Sequence, residues 1–171
     1  MSGIIGSAGS KSGIIGLPVD PQKPSFLATI DEIASLAVDV STYFTGTEVF
    51  DVGGNLACNA TGTIFETHGM IFTAPVTGKY QMNVWCQLSN FNANMQYVRV
   101  NMRMAGSFYY TIHSVRTGGA SPASKYGTVS LSILDHMDSG DTCTLYIHQA
   151  TGTSQLNVFG NQSAFSGYFV G

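Results

Sequence analysis

The stretch Ile64-Phe65-Glu66-Thr67-His68-Gly69-Met70-Ile71-Phe72-Thr73-Ala74-Pro75-Val76-Thr77-Gly78-Lys79-Tyr80-Gln81-Met82 decides the fold. Phe65 stands seven residues before Phe72, Phe72 six before Gly78, and Tyr80 two after that glycine, so an aromatic strand runs into a Pro-Val-Thr-Gly turn and out again. Beyond the turn the period is two. Tyr80, Met82, Val84, Cys86 and Leu88 share one face, and Lys79, Gln81, Asn83, Trp85 and Gln87 share the other, the pattern of a half-buried antiparallel strand.

The same alternation recurs over Tyr97–Met104, which sets Val98, Val100, Met102 and Met104 against Tyr97, Arg99, Asn101 and Arg103. Thr128–Leu134 and Thr142–His148 repeat it, joined by the turn residues Asp138-Ser-Gly-Asp141. Further strands are expected at 25–30, 37–43, 48–50, 63–65, 70–72, 108–113, 157–159 and 164–170, and 31–36 is the only segment that could carry a helical turn, a short one. Many short strands separated by Gly, Asn, Asp and Pro predict a β-sandwich of the jelly-roll kind. The closing strand is apolar on both sides, Ala164, Tyr168 and Val170 against Phe165, Gly167 and Phe169. One face fills the core and the other needs a second cover, which predicts contact with neighbouring subunits. Phe165, Tyr168 and Phe169 are the residues expected in core and interface.

With 171 residues the chain holds one sizeable core. Charged residues make up 10%, against about 25% in ordinary soluble domains, so much of the surface is expected to face other chains. A net charge of −3 with seven scattered Lys and Arg gives no field for nucleic acid or anionic lipid. No stretch approaches the roughly 20 apolar residues of a membrane helix, and no signal-peptide pattern opens the sequence.

Residues 1–24 read as an arm. Ser2-Gly-Ile-Ile-Gly6 recurs at Ser12-Gly-Ile-Ile-Gly16, and Pro18, Pro21 and Pro24 stiffen the approach to the domain at 25–171. A solvated tether gains nothing from Ile4, Ile5, Ile14 and Ile15, so these are the expected partner-docking residues.

Catalytic chemistry has no constellation to rest on. His68, His113, His136 and His148 lack metal or acid–base spacing, and Cys58, Cys86 and Cys143 form neither a closed disulfide set nor a ligand pattern. Asp135, Asp138 and Asp141 read as turn chemistry rather than a cation cradle. Neither cofactor nor metal is expected. Trp85 and the Phe108-Tyr-Tyr110 group are expected to pack between subunits in preference to binding a ligand.

The spacing of Phe65, Phe72, Pro75, Gly78 and Tyr80 resembles the signature of the globular head of complement q-subunits, a jelly roll related to tumour necrosis factor. Leu134 through Asp141 is similar to that family's Leu-x-x-Gly-Asp strand and turn with one residue added. Ser163-Ala-Phe165-Ser-Gly167-Tyr-Phe169 is similar to its closing Ser-Thr-Phe-Ser-Gly-Phe-Leu strand, while Met82 stands where the family has Phe. The resemblance covers residues 25–171 and implies an all-β, ten-stranded antiparallel jelly-roll sandwich that assembles as a homotrimer and is not an enzyme. Thr47 through Asn55 followed by Phe72 through Gly78 is most similar to bacterial and phage versions, and the Gly-Ile-Ile-Gly start is similar to N-terminal segments of small structural proteins of marine phages. The implied role is a structural protein on the virion surface, a trimeric knob that its arm attaches to other virion proteins, as capsid decoration or cement or as a short tail fibre. A host glycan or receptor is a further partner that this role allows. The alternative is a bacterial surface or secreted recognition module binding glycans or proteins.

Overall fold

A computed structural model describes residues 23–53, 55–63, 67–92, 94–114 and 126–171 of the chain. Residues 1–22, with the four arm isoleucines, and Phe65 lie outside the described residues. The period-two alternation becomes two antiparallel six-stranded sheets. The strands in chain order are β1 (Ser25–Ile30), β2 (Ser41–Tyr43), β3 (Gly46–Val52), β4 (Leu56–Thr61), β5 (His68–Thr73) and β6 (Gly78–Ser89). They continue as β7 (Tyr97–Met104), β8 (Ser107–Ser114), β9 (Tyr126–Met137), β10 (Thr142–Ala150), β11 (Asn157–Val158) and β12 (Ala164–Phe169). Ten of them have six residues or more, and the two short ones, β2 and β11, extend an edge shared with a longer strand.

The first sheet runs β9, β6, β12, β1, β3, with β11 beside β12 along the same edge of β6. The second runs β8, β7, β10, β5, β4, with β2 beside β5 along β10. Their inner faces meet in one core, because each strand turns its alternate apolar residues the same way: Phe26, Ala28 and Ile30 from β1, Tyr80 through Leu88 from β6, and Val98 through Met104 from β7. A chain of rings runs through its centre. Phe26 stacks on Phe72 at 4.8 Å between centroids and meets Phe165 edge-on at 4.7 Å, and Tyr80 lies 5.5 Å from Phe72. Such pairs add about 0.5–1.5 kcal/mol each beyond area burial.

Two expectations about local structure are corrected. Residues 31–36 are irregular, without the helical turn. Ile33 N–H donates to Val158 O and Leu36 N–H to Leu156 O, while Ser35 has a left-handed φ of 55°. The backbone donors are therefore satisfied by the distant 156–158 segment rather than by a local turn. β4 at Leu56–Thr61 precedes β5, and the strand expected at 63–65 falls largely on residues outside the described ones. The strand expected over 37–43 begins only at Ser41, because Asp39 turns the chain with φ 56°. A 3-10 turn spans Gly160–Gln162 ahead of β12.

Candidate functional site

The motif residues gather at one end of the sandwich. Phe72 and Tyr80 are buried, and the Tyr80 hydroxyl donates to Val76 O at 2.8 Å across the turn between β5 and β6. That turn is locked to the one between β9 and β10: Ser139 N–H donates to Thr77 Oγ1, Ser139 Oγ to Pro75 O, and Ala74 N–H to Asp141 O. Asp141 closes its own turn by accepting from Asp138 N–H at 2.8 Å. Both turns cross from one sheet to the other, so this mutual bonding fastens the two layers together. Gly78 is needed there because a Cβ would collide with the Phe169 ring. Phe72, Gly78, Tyr80 and Asp141 are thus brought together, and their work is structural.

The outward face of the first sheet is the surface best suited to a partner. In register, Leu134, Gln81, Tyr168, Ser25 and Val52 form one row across β9, β6, β12, β1 and β3. The next row is Ser132, Asn83, Ser166, Leu27 and Phe50, and the third is Ser130, Trp85, Ala164, Thr29 and Thr47. Twelve large apolar side chains are exposed among the described residues, and six of them, Phe50, Val52, Trp85, Leu134, Tyr168 and Val170, belong to this face. Scattered exposure needs no cause, but a concentrated patch marks an interaction surface. The only formal charge at its outward positions is Lys79, at one end beside His136.

Its polar groups are already matched to each other. Gln81 Nε2 donates to Ser132 Oγ at 2.9 Å, Ser132 Oγ donates to Asn83 Oδ1 at 2.7 Å, and Thr128 Oγ1 donates to Gln87 Oε1 at 3.1 Å. Covering such pairs costs far less than covering unpaired amides. Of the residues expected in core and interface, Phe165 is buried among the core rings and Phe169 turns inward to meet Tyr80 at 5.2 Å; Tyr168 alone stands outward. Trp85 also stands on this face, whereas Phe108 and Tyr110 are exposed on the opposite sheet.

The titratable groups do not converge. His68 Nδ1–H donates to Gly62 O at 2.7 Å and its ring packs on Tyr43. His136 lies 3.4 Å from Asp138, both exposed. His148 sits on the second sheet, where burial first and then the Arg99 charge hold its pKa below the usual imidazole value. The side chain of His113 is outside the described residues. Asp135 is engaged by the Tyr109 hydroxyl at 2.5 Å and by His136 N–H at 2.8 Å, not by the other two aspartates. No group of three or more His, Cys, Asp or Glu side chains placed to hold a metal ion occurs among the described residues. All three cysteines are free thiols; burial pushes Cys86 up to about 12 and raises Cys143 further. Among the described residues no helix is long and apolar enough to cross a membrane.

No protein-family profile and no curated protein matches the chain. Solved structures do match over most of its length. Murine APRIL at pH 8.5 is 15% identical with a TM-score of 0.55, covering 87% of this chain and 100% of that one. The globular domain of the zebrafish complement 1qA protein is 16% identical with a TM-score of 0.54, covering 87% of this chain and 98% of that one. At such identities the likeness speaks to architecture, and with the two six-stranded antiparallel sheets it shows that this chain has the jelly-roll fold of the tumour necrosis factor and complement C1q head domains.

Proposed function

We propose that the chain is a non-enzymatic structural protein of a bacteriophage virion, a homotrimeric knob fastened to the particle by its N-terminal arm. The observation that carries self-association is the outward face of the first sheet: six exposed apolar side chains, hydrogen-bonded polar groups between them and a single formal charge. Obligate interfaces bury upwards of about 2,000 Å² with an apolar centre, and a five-strand face supplies area of that order. Tyr168 stands on β12, the middle strand of the face, flanked by Gln81 and Ser25.

Attachment is assigned to Ile4, Ile5, Ile14 and Ile15. Two short apolar hooks set among Gly and Ser suit a groove or sheet edge on another virion protein, and three arms on one knob multiply weak contacts through effective concentration. Pro24 carries the arm into the domain, where its carbonyl accepts from Phe169 N–H at 2.8 Å. Capsid decoration is preferred to a tail fibre, and copy number in the particle separates the two, hundreds implying decoration and a few dozen or fewer a fibre.

Deletion of residues 1–17, and separately replacement of the four isoleucines by Ser, tests the assignment. Both variants should remain folded trimers by light scattering yet be missing from purified particles. Incorporation at normal copy number would place the docking surface on the jelly roll instead. A monomeric mass for the intact chain at micromolar concentration would overturn the self-association itself.

A further inference from the structure

The outward face of the second sheet carries chemistry that assembly through the first sheet leaves unused. Because β7 turns Val98, Val100, Met102 and Met104 inward, it sets Arg99, Asn101 and Arg103 in a line on the other side. On β10 these stand opposite His148, Tyr146 and Thr144, and Tyr43 of β2 follows Tyr146 in the same row. No Asp or Glu occupies a register position across this face. The described residues include four Lys and Arg against eight Asp and Glu, and two of the four cations stand here. Among the described residues half of the cations therefore stand on this one surface, while the acidic groups lie elsewhere or, like Asp39 beside His148, at its margin.

A second observation comes from the groups between the cations. Asn101 is 4% exposed and Thr144 1%, yet Asn101 Nδ2 and Thr144 Oγ1 have no hydrogen-bond partner, nor does Arg99 Nε. Buried polar atoms are normally paired, so a cluster of unmet groups marks the place where a partner atom from outside gains most. Reaching them requires rotamer changes of long flanking side chains, which are fast at a protein surface. Rings border the line. Tyr43 lies 6.3 Å from Tyr146 and 4.7 Å from His68, and Tyr97 lies 6.3 Å from His148. Arg103 lies over the Phe108 ring at 5.2 Å.

We propose that this face binds an acidic glycan, a sugar chain bearing carboxylate or sulfate groups. The guanidinium of Arg99 takes an oxyanion through paired N–H donors, the Asn101 amide gives a further donor between the two arginines, and the half-buried rings of Tyr43 and Tyr97 meet the apolar side of the sugar ring, Tyr146 beneath them being buried. A ligand of pure charge would use the arginines but not the rings or the unmet amide. A neutral sugar would cover the Arg99 guanidinium, whose Nε has no hydrogen-bond partner, and bring it no counter-charge. The face is on the sheet opposite the self-association surface, so the inference stands whether or not that reading does.

The test uses the full chain against immobilised oligosaccharides carrying uronate or sulfate, with neutral maltohexaose, poly-glutamate and a DNA duplex alongside. Acidic oligosaccharides should be retained in a salt-sensitive manner and the other three should not. Arg99→Gln and Arg103→Gln should each weaken retention about tenfold or more. Asn101→Asp, which puts a negative charge between the arginines at nearly constant volume, should abolish it with the melting temperature held. Absence of any acidic oligosaccharide binding at millimolar concentration would overturn the proposal, as would equal retention of poly-glutamate or DNA. Unchanged binding by folded arginine variants would overturn it as well, by placing any glycan elsewhere.

Discussion

Replacing Tyr168 by Ser probes the sheet face on its middle strand. The side chain is 50% exposed in the single chain. An aromatic side chain can bury roughly 150–250 Å², so about 75–125 Å² of Tyr168 is left for a neighbour to cover. At about 25 cal/mol per Å² this is about 2–3 kcal/mol per subunit, or about 6–9 kcal/mol in a three-subunit assembly. The figure is an upper one, since ordering and imperfect desolvation reduce what association realises. At about 1.4 kcal/mol per factor of ten, the overall association constant falls by about four to six orders of magnitude. For a monomer–trimer equilibrium the midpoint concentration varies as the inverse square root of that constant, so it rises about two to three orders. Sedimentation equilibrium over nanomolar to high micromolar concentrations reads this shift. Within one subunit Tyr168 is half exposed, and the dilute variant should melt within a few degrees of the dilute parent. Tyr110→Ser, on the opposite sheet, serves as the control with no shift expected. An unchanged midpoint for Tyr168→Ser would refute the assignment of this face.

Three further outcomes follow from the geometry. Gly78→Ala should destabilise by about 1–3 kcal/mol, because the new methyl meets the Phe169 ring at a tightly packed turn; chemical denaturation measures it. Reducing agent should leave the melting temperature unchanged, and a thiol reagent at pH 8 should modify half-buried Cys58 first while Cys86, with its pKa raised to about 12 by burial, and Cys143 wait for unfolding. A large fall on reduction would show a disulfide. For His148 the folded pKa lies below the unfolded one, so in the window around and below pH 6.5 the unfolded chain binds more protons. Its contribution is present above the unfolded pKa and is lost as pH falls through the folded one. The melting temperature of His148→Gln should therefore decline less between pH 7 and pH 5 than that of the parent.

What was legible in the sequence was periodicity backed by burial. β6 and β7 each alternate over at least eight residues, and they are found within one residue of where the pattern sets them. β4 was missed because Leu-Ala-Cys-Asn-Ala-Thr is a weakly apolar edge segment, paired only with β5, whose strand state comes from its neighbour rather than from its own composition. The helical reading of 31–36 failed for the opposite reason: Ile33 and Leu36 answer to carbonyls more than a hundred residues away, which no local pattern records. For the candidate interface, the two-sided apolarity of the closing strand singled out β12 but could not say which face of it each ring takes. Phe169 turned out to belong to the core. The Arg99, Asn101, Arg103 alternation was visible as a polar face. That Asn101 is covered and unpaired is a property of packing across three strands, and only the fold discloses it.

The placement of β1 also bears on how the domain would carry a load. The arm leaves directly from this strand, which lies between β12 and β3 and pairs with both along most of its length. A pull on residue 24 along the strand axis is thus resisted by two ladders in parallel, their hydrogen bonds sheared together instead of being peeled apart one at a time. Tension entering through the arm is spread into the interior of the first sheet, with the interlocked turns at Thr77 and Ser139 stapling that sheet to the second at the same end. A domain loaded in this way gives up many hydrogen bonds at once or none, so a pull at residue 24 meets the whole first sheet before it meets any single strand.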